Sequence, residues 1–303
     1  MLCNNYAPEL EEQPGEQPIR VFYRYYNNIF LNIRNELSAK YFLSNLSRIS
    51  FYFKTELCEA KSPYCSSFSI QIQDTFLSFL WNYCYGLLIK TPSGGKELTD
   101  IERKEADELF KYALHLLREY KEWDKQSLPN PELHGKDEKQ LIGKSNMSFL
   151  IAINFIIYHE FAHIVLGHID EINKCHYESR VLSFERSINM EKEADRFAID
   201  KIIESDQFDE YSYVGVLSAL CALTFTSPKF SGGKYHPDPD RRIIDFLERL
   251  NHEEDHPFWG MASWALMEWQ INFKSIFGFP SEFKNQKQYF YDLIALLEQF
   301  KKI

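Results

Sequence analysis

Apolar residues along most of the chain recur at the spacing of one helix face. In residues 19–45 aromatic and aliphatic side chains return every three or four positions, and residues 99–123 show a similar amphipathic pattern. Only residues 67–73 alternate strictly between polar and apolar, as a β-strand does. With only 12 Gly and 12 Pro in 303 residues, the sequence predicts a mostly α (α+β) protein with helical N- and C-terminal regions.

The helical pattern divides into three regions. Residues 1–18 are rich in Pro, Glu and Gln and are predicted to be disordered. Residues 19–143 form an aromatic-rich, mostly helical N-terminal region, and residues 144–303 contain the motifs described below. The best boundary between the last two regions is the segment 127–143, which combines Pro, Gly and many charges.

Two apolar segments, 147–158 and 211–226, require a decision between core helix and membrane span. Both are shorter than the roughly 18–20 residues that cross a bilayer, so buried core helices and no membrane association are predicted. The N-terminus carries no recognisable signal peptide, and the six cysteines form no CxxC pair. Reduced thiols and a cytoplasmic location are therefore expected.

The motif His159-Glu160-Phe161-Ala162-His163 follows the first apolar segment directly. Two imidazoles four positions apart lie on one face of a helix and can reach the same zinc ion. Glu160 lies beside them, where a general base for a metal-bound water is expected. On a buried helix these polar groups would be costly without a partner, which favours a zinc site over a core helix with incidental polar residues.

A second helix, predicted to begin at Ser187 or Asn189, offers the third ligand, and helical phase selects Glu191 over Glu193. Glu191 shares a stripe with Ala194, Asp195 and Ala198, whose small and apolar members indicate an inward face. Glu193 falls about 200° round the helix and is assigned to the solvated side. Asp195, one turn beyond Glu191, is placed to accept a hydrogen bond from a ligand histidine. Ordinary surface charge is the alternative interpretation of both acids.

These motifs carry a resemblance to known enzymes. HEFAH followed by E-x-x-A-D resembles the gluzincin metallopeptidases, whose third zinc ligand is the glutamate of an ExxxD helix. His236-Pro237 with Arg242-Ile243 is similar to the HP-x4-RI segment of one gluzincin branch. The sequence is most similar to the phage-exclusion peptidase Lit family, the U49 peptidases. The specific motifs cover only residues 146–250.

The resemblance implies a zincin-like arrangement in residues 144–303, with the two motif helices near a small edge strand or sheet. Residues 67–73 are the candidate for that edge strand. Zn²⁺ is the implied cofactor, with Glu160 as the catalytic base. His236, Tyr235 and Arg242 are candidates for stabilising the oxyanion, although a salt bridge at a helix N-terminus is an equally good interpretation of Arg242.

His168 lies five residues after the second motif histidine. Metzincins place a third ligand six residues after it, together with a glycine whose position does not match here. His168 is therefore predicted to be a loop residue or a residue behind the ligands.

The resemblance implies a soluble zinc endopeptidase that acts in phage exclusion. Its partner would be a protein substrate, a host translation factor attacked when a phage product triggers cleavage. A net charge of −10 argues against nucleic acid as a partner. One alternative is a repressor-cleaving ImmA/IrrE-type peptidase, which matches residues 191–198, although no helix-turn-helix is found. Another is a non-catalytic zinc-stabilised sensor module, which would have no need of Glu160.

Overall fold

The computed structural model describes residues 17–54, 62–90, 99–117, 122–133, 141–204, 210–227, 229 and 238–301. Within these residues helices dominate and a small sheet is present, which confirms the mostly α (α+β) class. The helices are α1 (Tyr23–Tyr41), α2 (Asp74–Lys90), α3 (Asp100–Leu116), α4 (Leu141–Val165), α5 (His168–Tyr177), α6 (Phe184–Ile203), α7 (Glu210–Leu223), α8 (Pro239–Leu250), α9 (Pro257–Phe273) and α10 (Gln286–Phe300). The strands are β1 (Ser50–Lys54), β2 (Tyr64–Cys65) and β3 (Ser69–Gln73).

The predicted disorder of residues 1–18 falls mainly on residues 1–16, which lie outside the described part. Gln17 and Pro18 are buried, and Pro18 opens a short 3-10 helix, Pro18–Phe22. Ordered structure therefore reaches two residues further toward the N-terminus than the composition indicated.

Helix α4 is the centre of the fold, because α1, α2, α6 and α7 all pack against it. It is 25 residues long, so the argument that its apolar segment is too short to cross a membrane was wrong. By length and composition alone α4 could span a bilayer, but 72% of its most apolar window is buried inside the protein. Enclosure by four helices explains why it is apolar almost all round.

The aromatic N-terminal region packs directly onto α4. The rings of Phe22 and Phe149 lie 5.3 Å apart, as do those of Phe30 and Phe161. The indole of Trp81 also donates a 2.8 Å hydrogen bond to Asn146 Oδ1. One hydrophobic core therefore includes residues of both regions. The boundary at 127–143 stays a prediction, since residues 134–140 lie outside the described part.

Helices α4 and α7 approach each other closely at Gly215. A Cβ placed on Gly215 of α7 would lie 2.5 Å from Ile151 Cγ2 and 2.8 Å from the Ser148 carbonyl oxygen. Only a glycine fits at this crossing without displacing α4, so this position fixes how closely α7 approaches the helix that carries the HExxH motif.

The sheet has the order β1-β3-β2, with β1 parallel and β2 antiparallel to β3. The predicted strand at 67–73 is present as β3, but it is the central strand and not an edge. The edge strand nearest α4 is the two-residue β2, which contacts that helix. Alternation reports a strand with a buried face but carries no information on its neighbours, which explains the error.

The region between the two motif helices is more helical than predicted. His168, for which a loop was one of two predicted alternatives, is the first residue of α5, which begins directly after Gly167 at φ 77°. Helix α6 begins at Phe184, with Ser183 as its cap accepting a 3.1 Å hydrogen bond from the Arg186 amide. The predicted start at Ser187 or Asn189 was therefore too late.

Candidate active site

Two helices bring together the three side chains predicted as metal ligands. His159 and His163 project from the same face of α4, and Glu191 reaches them from α6. The two histidine Nε2 atoms lie 3.2 Å apart, and Glu191 oxygens lie 3.4 Å from His159 Nε2 and 3.6 Å from His163 Nε2. All three side chains are buried. Of the two glutamates considered on α6, Glu191 is the one that faces the histidines, and its role as a ligand stays a prediction.

The spacing of these donor atoms fits a metal ion. Tetrahedral coordination with bonds of about 2.0–2.1 Å places ligand atoms about 3.3 Å apart. The observed separations of 3.2, 3.4 and 3.6 Å lie around that value. Two imidazoles and a carboxylate that converge in this way could hold one ion and leave a fourth position for water.

The carboxylate of Asp195 lies behind His159. The distance from His159 Nδ1 to Asp195 Oδ1 is 2.9 Å, and this contact leaves His159 Nε2 facing His163 and Glu191. Asp195 in turn accepts two hydrogen bonds from Arg242, at 2.7 Å from Nε and 2.6 Å from Nη2. Burial alone would raise the pKa of Asp195, but Arg242 and His159 hold it below its ordinary value.

Arg242 pairs with Asp195, which the sequence did not predict. Its guanidinium forms a two-pronged ion pair with Asp195 and also lines the cleft at the site. This contact matches the salt-bridge interpretation of Arg242, and its role at the oxyanion stays a prediction. The other two candidates, Tyr235 and His236, lie outside the described residues.

The predicted general base, Glu160, is buried at the same site and lines the cleft. Burial and the neighbouring Glu191 raise its pKa, an effect that His159 partly opposes. A carboxylate whose pKa is moved toward neutrality is better suited to accepting a proton and then returning it.

No pattern in the sequence indicated that a cysteine lies at this site. Cys65 of β2 lines the cleft, and its thiol hydrogen-bonds to Glu160. Burial and the nearby Glu160 carboxylate raise the pKa of the thiol well above its ordinary value, so it stays protonated. The described cysteines Cys65, Cys84, Cys175 and Cys221 are all free.

Residues 70–262 of the chain, well over half of its length, match the model of the family described as Peptidase U49. The chain belongs to the Peptidase U49 family. The matched segment includes both motif helices and Arg242, and membership of this family makes the chain a peptidase. Searches of curated proteins and of solved structures gave no significant match.

The peptidase has an open cleft of about 460 Å³ in front of the three donor atoms. One wall is β2 and the others come from α4, α5 and α7. Most of its lining is apolar, with contributions from Pro63, Phe155, Ile156, Ile169, Ile172, Leu220 and Leu223. The polar groups are concentrated at the histidines, Glu160, Glu191 and Arg242. A chain segment with an apolar side chain fits such a surface.

Without an ion, the two histidines of the peptidase hold protons unequally. Burial opposes charge on both rings, but Asp195 and Glu191 raise the pKa of His159. Burial and the neighbouring His159 lower the pKa of His163. A histidine must release the proton on its coordinating nitrogen before it binds a metal, so metal binding at this site would depend on pH.

On the side of its Nδ1 atom, His163 contacts a second imidazole, that of His168. His168, the first residue of α5, is buried, and its Nδ1 lies 3.2 Å from His163 Nδ1. Its Nε2 lies 2.9 Å from Glu193 Oε2. Glu193 points outward, as predicted, but still reaches this ring. His168 is a helix residue behind His163, so the loop alternative was wrong.

Proposed function

We propose that the protein is a zinc-dependent endopeptidase of the gluzincin type. The observation that carries this proposal is the convergence of His159, His163 and Glu191 at separations of 3.2–3.6 Å, beside the buried Glu160. Zinc with three protein ligands and one open position is the usual arrangement of catalytic sites. The U49 family match supports peptide-bond hydrolysis as the reaction.

In this proposal each side chain has a defined task. A zinc ion held by the three ligands would lower the pKa of a water to about 7 and polarise the scissile carbonyl. Glu160 accepts the proton of the attacking water and delivers it to the amine that leaves. Asp195 keeps the His159 ring oriented, and Arg242 keeps Asp195 charged.

The substrate segment would lie in the cleft between β2 and helices α5 and α7. Apolar side chains line this space next to Glu160, which favours an apolar residue close to the scissile bond. The net charge of −10 for the whole chain favours a protein partner over nucleic acid.

For the biological role we propose phage exclusion in the cytoplasm, by cleavage of a host translation factor when a phage product presents it. The similarity to the Lit family and the U49 match support this role over that of a repressor-cleaving peptidase. The buried Glu160 disfavours a purely structural zinc module, which has no need of a proton acceptor. Peptidase activity would be restrained by geometry, because the scissile loop of the substrate would reach the site only when a partner presents it.

The first experiment measures zinc content and cleavage in the purified chain and in Glu160→Gln. One zinc per chain in both proteins, with cleavage lost only in the variant, is the expected result, because Glu160 transfers protons and is not a ligand. Glu185→Gln, an exposed acid on α6, is the matched control and should keep full activity. Cleavage retained by Glu160→Gln, or no bound zinc in the wild type, would overturn the mechanism.

The proposed biological role is tested in infected cells. Hosts expressing the wild type or Glu160→Gln are infected with phage, and translation and proteome cleavage are followed. We expect loss of translation with one dominant cleaved protein, only in infected cells with the wild type. Broad proteolysis by the uninfected wild type would instead indicate a general housekeeping peptidase.

A further inference from the structure

The side chains behind His163 form a connected series that the mechanism above does not use. His163 Nδ1 faces His168 Nδ1 at 3.2 Å, and His168 Nε2 faces Glu193 Oε2 at 2.9 Å. The His168 side chain is fully buried, whereas Glu193 is 44% exposed. The series therefore runs from the candidate metal site to the surface through one enclosed imidazole.

Hydrogen-bond chemistry allows only one proton arrangement along this series for a metal-binding His163. An ionised carboxylate accepts only, so Glu193 requires a proton on His168 Nε2. A neutral His168 then has a bare Nδ1, which can only accept a hydrogen bond. His163 must supply that bond from Nδ1–H, and this tautomer leaves the Nε2 lone pair of His163 directed at the other donors.

We propose that His168 and Glu193 are positioning residues that fix His163 in its metal-binding tautomer and orientation. This inference rests on the metal site proposed above and goes beyond it, since neither residue touches the metal or the substrate. It assigns to His163 a rear contact equivalent to the one that Asp195 gives His159, with a second imidazole inserted between the ring and the carboxylate.

The anchoring of Glu193 supports the assignment. Arg186 donates to both Glu193 oxygens at 3.0 Å and to Glu171 of α5 at 3.0–3.2 Å. The arginine thereby ties α5 to α6 on the side where His168 lies between them. Each candidate ligand histidine thus has a carboxylate behind it, and each of these carboxylates is paired with an arginine: Arg186 for Glu193 and Arg242 for Asp195. Simple packing of a buried ring would need neither the acid nor its arginine.

The first test uses the metal-free wild type and needs no activity. With ¹⁵N-labelled histidine, NMR should show His168 protonated at Nε2, the signal being assigned by its loss in His168→Phe. Protonation of His168 at Nδ1 would overturn the proposal whether or not the chain binds zinc. Failure of the proposed function would appear separately, as absence of zinc binding by the wild type.

The second test compares zinc affinity by chelator competition in His168→Phe, Glu193→Ala and the double variant. Each single change should weaken binding by about 10–100-fold, the usual effect of losing an outer contact to a ligand. The double variant should be no weaker than His168→Phe, because Glu193 acts through that ring. His176→Phe and Glu185→Ala, exposed positions on the same two helices, are the matched controls and should bind as the wild type does.

A packing role predicts a different outcome. The metal-free variants would then lose thermal stability while their zinc affinity stayed within about twofold of the wild type, and this would overturn the proposal. Independent, additive losses in the double variant would also overturn it. His168→Gln, which offers an acceptor to His163 and a donor to Glu193, should recover part of the affinity lost in His168→Phe.

Discussion

Asp195→Asn separates the two tasks that we assign to this carboxylate. The amide oxygen of asparagine can still face His159 Nδ1, but the side chain has lost its charge. Its amide nitrogen would also face the donors of Arg242, which now approach Asp195 at 2.6 and 2.7 Å. The change therefore weakens the contact behind His159 and leaves Arg242 without its partner.

The two effects have different magnitudes. Loss of an outer carboxylate typically lowers metal affinity about 10–100-fold, or roughly 1.4–2.7 kcal/mol. Arg242 and Asp195 are only 13% and 12% exposed at their side chains. Breaking a buried pair by removing one charge costs about 3–5 kcal/mol, because the other charge stays buried. The free energy of unfolding of the metal-free chain should therefore fall by more than the free energy of metal binding.

The assays are chelator competition for zinc affinity and urea unfolding of the metal-free chain. Arg242→Met provides the comparison, because it also breaks the pair but leaves Asp195 beside His159. It should destabilise the chain by a similar amount while lowering zinc affinity less than Asp195→Asn does. The double variant removes both charges, so its destabilisation should be smaller than the sum of the single effects. Wild-type zinc affinity in Asp195→Asn, or additive stability losses, would refute the reasoning.

Two further predictions concern stability away from the site. Gly215→Ala should lower the free energy of unfolding by about 1–3 kcal/mol through overpacking. A Cβ at Gly86 would have its nearest neighbour atom at 3.5 Å, so Gly86→Ala should raise the free energy of unfolding by up to about 1 kcal/mol, measured by urea unfolding. Equal effects of the two changes would contradict the close α4–α7 contact. Although partial burial opposes it, hydrogen bonds from Lys201 and Tyr158 lower the pKa of Glu36 below its ordinary 4.5. Because the folded pKa is the lower one, this stabilisation is present above pH 4.5 and is lost as the pH falls through the folded value, so the urea midpoints of wild type and Glu36→Gln should converge in acid. A difference that does not change with pH would count against this ion pair.

The residues on the motif helices could be placed from the sequence because a helix fixes the relative direction of its own side chains. Spacing alone put His159 and His163 on one face, and phase alone selected Glu191 over Glu193. Contacts between elements could not be obtained in this way, since phase gives a direction and not a partner. For that reason the sequence missed the contact between His168 and Glu193.

The sequence contains a helix-start signal for α5 but no signal that places Cys65 at the site. Helix α5 was missed although Asp170 and Glu171 in its first turn are a helix-start signal directly after Gly167. Cys65 had no usable signal, because a strand of two residues has no periodicity to detect. The central position of β3 depends on pairing with β1, which no pattern within residues 67–73 encodes.

Helix α6 carries three of the acidic side chains at the site, which explains why a small number of sequence positions can define the site. Helix α6 supplies the candidate ligand Glu191, the acid behind His159 and the acid at the end of the series behind His163. The first two lie one turn apart on the face toward α4, where Ala194 and Ala198 are fully buried and allow close packing. Glu193 points away from that face and reaches His163 only because α5 places His168 in between. The orientation of both histidines therefore depends on the register of α6 against α4 and α5, which the Arg186 contacts to Glu171 and Glu193 hold in place.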